Sequence, residues 1–277
     1  MMIRTDSNEA RIMYQCAKVI IAATVFAAGP TLAQDDADLA KQLANPLAAL
    51  ISVPFQLNYD DNMGTDGRGD MWRLNVQPVA PFSISEDWNL ISRTIFPVIK
   101  QSDFPGPGQS EFGLGDTVQS VFFSPKAPTS NGWIWGAGPV FLLPTATDEQ
   151  LGAEKWGAGP TAVALKQVGP WSYGGLVNHI ESFAGDSDRN DISATFVQPF
   201  LTYITPTKTT IALNTESTYD WKSKAWSIPI NLMVNQMMMM GKRPVQVGLG
   251  LRYWAESAGI GADDWGLRLN FVLLYPK

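Results

Sequence analysis

The sequence predicts an all-β protein, a twelve-stranded antiparallel transmembrane β-barrel preceded by a short N-terminal helix. First, from residue 51 onwards, stretches of about ten to fourteen residues alternate apolar and polar side chains, as in residues 72–77 and 265–271. Second, all ten tryptophans lie near a predicted strand end. Third, the connections between strands alternate in composition. Because a strand directs successive side chains to opposite faces, these features indicate an apolar outer face with aromatic ends, typical of outer-membrane barrels rather than soluble sandwiches.

Residues 1–33 have the organisation of a secretory signal peptide. Three basic residues precede an apolar core over residues 19–28, and Thr31 and Ala33 supply the small side chains of a cleavage site. That core is too short to span a bilayer as a helix. Cys16, the sole cysteine, lies in this segment, so its removal leaves a chain without thiols. The remaining chain has 17 basic and 24 acidic residues, a net charge of −7 that argues against a nucleic-acid partner.

Residues 34–50 predict a short N-terminal helical segment. Leu39, Leu43, Leu47 and Leu50 recur at helical spacing, and Pro46 is placed to open a second helical turn. Three interpretations stay open at this point. The segment is a periplasmic stub on the rim of the barrel, a plug that enters its lumen, or a disordered stretch.

The barrel is predicted over residues 51–277 as a single domain. Connections after odd-numbered strands are rich in Gly and Asp (61–69, 101–111, 143–154, 184–190, 221–224 and 255–263), whereas those after even-numbered strands hold Pro, Lys and Ser (83–86, 125–131, 168–170, 204–207 and 236–243). Outer-membrane barrels have an even strand number, with long outer loops and short periplasmic turns. The strands are expected to begin near Leu50, Gly69, Asp87, Phe112, Gly132, Lys155, Trp171, Asp191, Lys208, Ala225, Pro244 and Asp264.

Seven prolines fall within these predicted strands. Proline has no N–H and therefore removes a hydrogen bond from the strand ladder, which confines it to edges, strand starts and bulges. We therefore expect repeated bulges or indentations in the barrel wall. The prolines are Pro54, Pro78, Pro97, Pro139, Pro160, Pro199 and Pro229.

We assign the polar side of each predicted strand to the lumen, because a charge on the lipid face costs about 2–4 kcal/mol at the bilayer midplane. In a closed barrel the four arginines of this set lie on one side of the lumen and Glu216 faces them. They form either a polar network that fills the lumen or an electropositive constriction that selects anionic or dipolar solutes. The residues expected to line a transport path are Arg73, Asn75, Arg93, Gln119, Gln198, Asn214, Glu216, Arg252, Arg268 and Asn270.

The sequence offers no convincing catalytic, metal or cofactor site. The twelve-stranded outer-membrane phospholipases use a His and a Ser on one strand face, whereas here Ser182 lies three positions after His179 and faces the other way in a regular strand. Glu181 shares the face of His179, but nothing else converges on them. The acidic loops match no EF-hand pattern, which favours solvated loops. We therefore expect no enzyme activity and no cofactor.

Several motifs carry a family resemblance. They are residues 112–116, with the Gly-Leu-Gly-Asp opening of a strand, residues 133–139, residues 151–160 and the Leu-Arg-Tyr-Trp segment 251–254. On these residues the chain resembles the outer-membrane barrel family labelled MetA-pathway of phenol degradation, whose members are often called transporters. The resemblance spans nearly the whole chain after the signal and implies the barrel fold. It also implies transporter-like passage of small molecules, hydrophobic or aromatic ones included, as in the fatty-acid uptake barrels that admit cargo at a kinked strand.

The sequence thus predicts a bacterial outer-membrane barrel that passes or takes up small molecules passively. One alternative is a closed structural or surface-interaction barrel whose acidic loops bind lipopolysaccharide or a partner. A minor one is an outer-membrane lipid hydrolase centred on His179. The expected partners are outer-membrane lipids and lipopolysaccharide, a small-molecule solute and the barrel-assembly machinery. For that machinery the terminal aromatic signal is displaced to Tyr275, two residues before the end.

Overall fold

The protein folds into one closed β-barrel. The structure, a computed structural model, describes residues 38–276, so the predicted signal peptide 1–33 and residues 34–37 lie outside the described residues. Fifteen strand segments form a single sheet in which all pairs are antiparallel. Three pairs of segments continue one another across short interruptions, which gives twelve strands. The first strand pairs with the last over residues 51–59 and 267–275 and closes the barrel, which confirms the predicted fold class.

The strands begin within two residues of their predicted starts. One predicted connection is wrong: residues 236–243 do not form a long turn, because the methionines at 237–240 continue the strand and Gly241, with a φ of 64°, makes a two-residue turn with Lys242. The strands are β1 (Ile51–Met63), β2 (Gly69–Val76 and Val79–Ser83), β3 (Trp88–Ser102), β4 (Glu111–Leu114 and Thr117–Pro125), β5 (Trp133–Leu143), β6 (Lys155–Val168), β7 (Trp171–Gly185), β8 (Ser193–Ile204), β9 (Thr209–Thr215 and Ser217–Asp220), β10 (Ala225–Met240), β11 (Arg243–Glu256) and β12 (Asp264–Tyr275).

Each of the three strand interruptions lies beside a proline of the neighbouring strand. The amide at the interruption still donates to the carbonyl oxygen of that proline, but the proline has no N–H with which to return the second bond of the pair. The ladder therefore loses one hydrogen bond at each site, and the regular strand is interrupted there. The three surviving bonds join Gln77 N to Pro54 O (2.8 Å), Gly115 N to Pro97 O (2.9 Å) and Glu216 N to Pro229 O (3.2 Å).

The outer surface is an apolar band between two aromatic girdles. Nine of the ten tryptophans are exposed on it, and eight of these pair with a tyrosine or another tryptophan near one end of the barrel. Indole and phenol rings favour the headgroup region of a bilayer, so this surface is that of a membrane-embedded barrel, and the fold places it in the bacterial outer membrane. The ring pairs are Tyr59–Trp72, Tyr253–Trp265 and Tyr219 with Trp221 and Trp226 at the outer end, and Trp88–Trp135, Trp133–Tyr173 and Trp171–Tyr203 at the periplasmic end. No helix within residues 38–276 is long and apolar enough to cross a membrane.

The inward face of the barrel is divided into an apolar part and a polar part. On β3 to β7 large apolar side chains that are almost fully buried form a cluster on this face, together with glycines such as Gly136 and Gly138, although polar residues such as Arg93 also lie there. On the remaining strands it is lined mainly by amide, carboxylate and guanidinium groups. The apolar residues are Ile91, Phe122, Val140, Val163, Leu165 and Leu176.

The N-terminal segment, residues 38–50, packs inside the barrel at the end where both barrel termini lie. It starts with a helix over residues 38–43; the second helical turn expected after Pro46 is a series of turns instead. Leu47 packs against the apolar cluster of β3, β4, β6 and β7. Ala40 and Leu50 pack against a second cluster on β10 and β12 that includes Met237 and Leu274. The segment therefore reaches from one side of the wall to the other.

Candidate functional site

A carboxylate and two arginines form the centre of a charged layer across the lumen. Arg268 Nη1 and Nη2 donate to the two carboxylate oxygens of Glu216 at 2.8 and 2.7 Å, a bidentate geometry. Arg252 Nη1 reaches the same carboxylate at 3.4 Å. The Arg268 side chain is 1% exposed and that of Glu216 is 20% exposed, so the ion pair is largely, though not completely, shielded from water.

Three residues of β1 and β11 extend the charged layer towards the outer end of the lumen. Asn58 Oδ1 accepts the Nε–H of Arg268 at 2.7 Å. Asp60 Oδ1 accepts the indole N–H of Trp254 at 2.8 Å and lies 3.0 Å from Nε of Arg252, an ion pair without hydrogen-bond alignment. The guanidinium of Arg252 also stacks on the Trp254 ring, 4.6 Å from its centroid. The layer is thus Asn58, Asp60, Glu216, Arg252, Trp254 and Arg268.

Strand register explains why these long side chains fit in one layer. Arg268 lies directly opposite Asn58 of β1 and Gly250 of β11. Arg252 lies opposite Gly266 of β12. A methyl group added at Gly266 would come within 2.9 Å of Asp60 Oδ1. Each arginine therefore has a neighbouring glycine, which leaves room in the lumen for its guanidinium.

Two further arginines, Arg73 and Arg93, line the lumen without a carboxylate partner. Within the described residues, the Arg93 side chain makes one hydrogen bond, in which Nη2 donates to Gln77 Oε1 at 2.9 Å. Arg73 Nη2 contacts Met71 Sδ at 3.2 Å, and its Nε is buried without a hydrogen-bond partner. Asp60 and Glu216 are already engaged with Arg252 and Arg268, so Arg73 and Arg93 carry a surplus of positive charge.

A cavity of about 260 Å³ separates the N-terminal segment from the inward faces of β1–β3 and β7–β9. Asn214 and Gln198 line it on one side, and Gln77 and Arg93 line it on the other. Asn214 is two residues from Glu216 along β9, so the cavity lies next to the charged layer on its periplasmic side. The lumen thus contains, in order, the N-terminal segment, the cavity and the charged layer.

The structure places nine of the ten predicted lumen residues on inward strand faces. Their role in transport stays a prediction. Asn58 and Asp60 were missed, although the polar residues at every second position of β1 from Gln56 to Asp60 are a readable signal. The nine are Arg73, Asn75, Arg93, Gln198, Asn214, Glu216, Arg252, Arg268 and Asn270.

Gln119 is the exception, and its assignment to the lumen is wrong. The register pairs it with Thr94 on the outward face of β3, where Phe96 is exposed. Its amide accepts a hydrogen bond from Thr94 Oγ1 at 2.5 Å and donates one to Ser92 Oγ at 3.0 Å. The reason is that β4 carries polar side chains on both faces, Ser120 inward and Gln119 outward, so polarity alone does not identify its luminal side.

His179 faces outward, away from the charged layer. Its Nδ1 lies 2.9 Å from Thr195 Oγ1, and its Nε2 lies 3.4 Å from the Glu181 carboxylate. Thr195 Oγ1 also accepts the indole N–H of Trp221 at 2.9 Å. Ser182 lies on the inward face, where its hydroxyl accepts the amide of residue 192. The arrangement therefore lacks the His–Ser dyad on one strand face that a phospholipase of this fold would need. Across residues 38–276 no group of three or more His, Cys, Asp or Glu residues could hold a metal ion.

Comparison with known proteins supports the barrel fold. No protein-family profile and no curated protein matches the chain, so the phenol-degradation label stays a prediction. Among solved structures, the chain is similar to the COG4313 outer membrane channel from Pseudomonas putida F1, with a TM-score of 0.62 and 16% identity over 82% of this chain and 94% of that one. It is also similar to the outer membrane phospholipase A from Escherichia coli, with a TM-score of 0.50 and 10% identity over 80% and 90% of the two chains. At these identities the likeness concerns the fold alone: the chain has the fold of a bacterial outer-membrane barrel.

Proposed function

We propose that this protein is a passive outer-membrane channel for small solutes and that its charged layer favours anions. The observation that carries the proposal is the charge imbalance of the lumen. Four arginines face two carboxylates, and the described residues give Arg73 and Arg93 no acidic partner. A cleft with low-dielectric walls focuses the field of such unpaired charges and raises the local concentration of counter-ions. No step of this function requires a catalytic group or a cofactor.

The test is single-channel conductance of the refolded protein in a planar bilayer across a salt gradient. We expect discrete openings, and we expect the sign of the reversal potential to show that anions are more permeant than cations. Replacing Arg73 and Arg93 together with Gln should shift that potential towards cation preference. The matched control is Arg243→Gln, which removes one exposed arginine at the edge of the wall. Cation preference of the wild-type channel, or an unchanged potential in the double variant, would contradict anion selection.

A closed structural or surface-interaction barrel is the second candidate, because both ends of the lumen contain packed apolar residues. The N-terminal segment occupies one end. At the other, Leu151 and Ala262 of the outer loops pack against Met63, Met71 and Ile99 of the wall. Such a barrel would show no openings and would bind lipopolysaccharide through its acidic loops, and cells lacking it would lose envelope integrity. Deleting residues 38–50 separates the two functions: a channel gains conductance, whereas a barrel closed by its own wall stays silent.

A further inference from the structure

The cavity beside the N-terminal segment has an apolar body. The segment contributes Leu43, Pro46 and Leu50, and the wall contributes Leu176 of β7 and Phe200 of β8. Apolar side chains from opposite sides of the lumen thus flank a space somewhat smaller than the usual pocket for a drug-sized ligand. Such a space favours a compact apolar group, for example a single aromatic ring.

The same cavity has a cationic end with unused hydrogen-bond donors. A guanidinium has five N–H donors, and the described residues accept one bond from Arg93. Asn214 lines the cavity and uses its amide oxygen to accept from Asn231 at 2.9 Å, which leaves its NH₂ group without a described partner. The buried hydroxyl of Thr202, also in the cavity wall, has no hydrogen-bond partner within the described residues. Buried polar groups without partners are uncommon and point to a missing acceptor.

We propose that this cavity binds a small amphipathic monoanion, a carboxylic acid whose carboxylate pairs with Arg93 and whose apolar body lies against Leu176 and Phe200. The proposal rests on the proposed channel function, because the cavity lies on the path through the lumen and its occupant would be the solute in transit. A carboxylate matches a guanidinium in shape and charge. A dianion such as phosphate would leave one charge uncompensated among apolar side chains. The site therefore selects by charge at one end and by apolarity at the other.

The test is to measure equilibrium binding to the full barrel in non-ionic detergent by isothermal titration calorimetry. Three probes separate the contributions: benzoate has both features, benzyl alcohol lacks the charge, and inorganic phosphate lacks the apolar body. We expect benzoate to bind at least about tenfold more tightly than the other two, since a hydrogen-bonded charge pair commonly contributes a factor of ten to a hundred. Arg93→Gln should remove that preference, and Arg243→Gln should retain it.

Each result decides between the possibilities. Equal affinity for benzoate and benzyl alcohol in the wild-type barrel would overturn recognition of the charge, and this comparison does not depend on whether Arg93→Gln folds. Absence of benzoate binding to a barrel shown to be folded by circular dichroism would overturn the site. Binding without conductance in bilayers would support the proposed site and refute the proposed channel function. Conductance without binding would support the channel function and refute the site.

Discussion

Replacing Glu216 with Gln is expected to lower the free energy of unfolding by about 3–5 kcal/mol, the usual cost of removing one partner of a buried ion pair. The carboxylate receives two short hydrogen bonds from Arg268, whose side chain is 1% exposed, and a longer one from Arg252. Gln has nearly the same volume but one acceptor oxygen and no charge. Both guanidinium groups would therefore remain in the lumen with less compensation.

The assay is urea unfolding of the barrel in phospholipid vesicles, monitored by tryptophan fluorescence. Glu256→Gln is the matched control, because Glu256 is exposed at the end of β11 and its side chain has no hydrogen bond or ion pair to the described residues. The control should change the unfolding free energy by less than about 0.5 kcal/mol. A double variant with Gln at both 216 and 268 should lose less than the sum of the single losses, because the two groups are directly coupled.

A loss below about 1 kcal/mol in Glu216→Gln would refute this reasoning. That value is typical of exposed ion pairs. It would mean that water in the lumen screens the pair and that the charged layer does not behave as a buried network.

Three further predictions address other parts of the barrel. Gln119→Leu should leave ion selectivity unchanged because Gln119 faces lipid, whereas Gln198→Leu should alter it because Gln198 lines the cavity; bilayer reversal potentials of the two variants decide this. The hydrogen bond from Lys155 and its positive charge lower the pKa of Asp191 in the outer loop. Ionised Asp191 therefore contributes stability above its ordinary pKa, and this contribution is lost as the pH falls through the lowered value. Lys155→Met should raise that pKa, as NMR titration of the Asp191 carboxyl would show; an unchanged pKa would mean that the contact is not formed in solution. Gly138→Val should destabilise the barrel by about 1–3 kcal/mol, because any side chain there overlaps a carbonyl of β4, and unfolding at wild-type urea concentrations would contradict this contact.

The strand pattern could be predicted closely because lipid and lumen impose opposite polarity on alternate residues. The twelve starts are set by this alternation and by turn residues, both of which are local. The methionine run at 237–240 gives no strand signal because four similar residues show no alternation, yet the wall continues through them. Polarity alone predicts the wrong face for Gln119 for a related reason, since its strand is polar on both sides.

The partners within the site could not be predicted from the sequence. Which arginine pairs with Glu216 depends on how β9 and β12 face each other across the closed barrel, and the stagger of twelve strands sets that distance. The sequence gives no equivalent signal for the cavity, because its lining comes from two separate parts of the chain, residues 42–93 and 176–214, that meet only in the closed barrel. Glycines at 250 and 266 are one usable clue, since they lie opposite Arg268 and Arg252 once the register is known.

The N-terminal segment has a consequence for the order of assembly. It directly precedes β1, yet Ala40 and Leu50 pack against side chains of β10 and β12, the strands synthesised last. These contacts cannot form until the end of the chain has folded, and the seam between β1 and β12 would enclose the segment once it closes. Docking of the segment and closure of the seam are therefore expected to be one cooperative event, in which the first part of the barrel chain and the last part become ordered together.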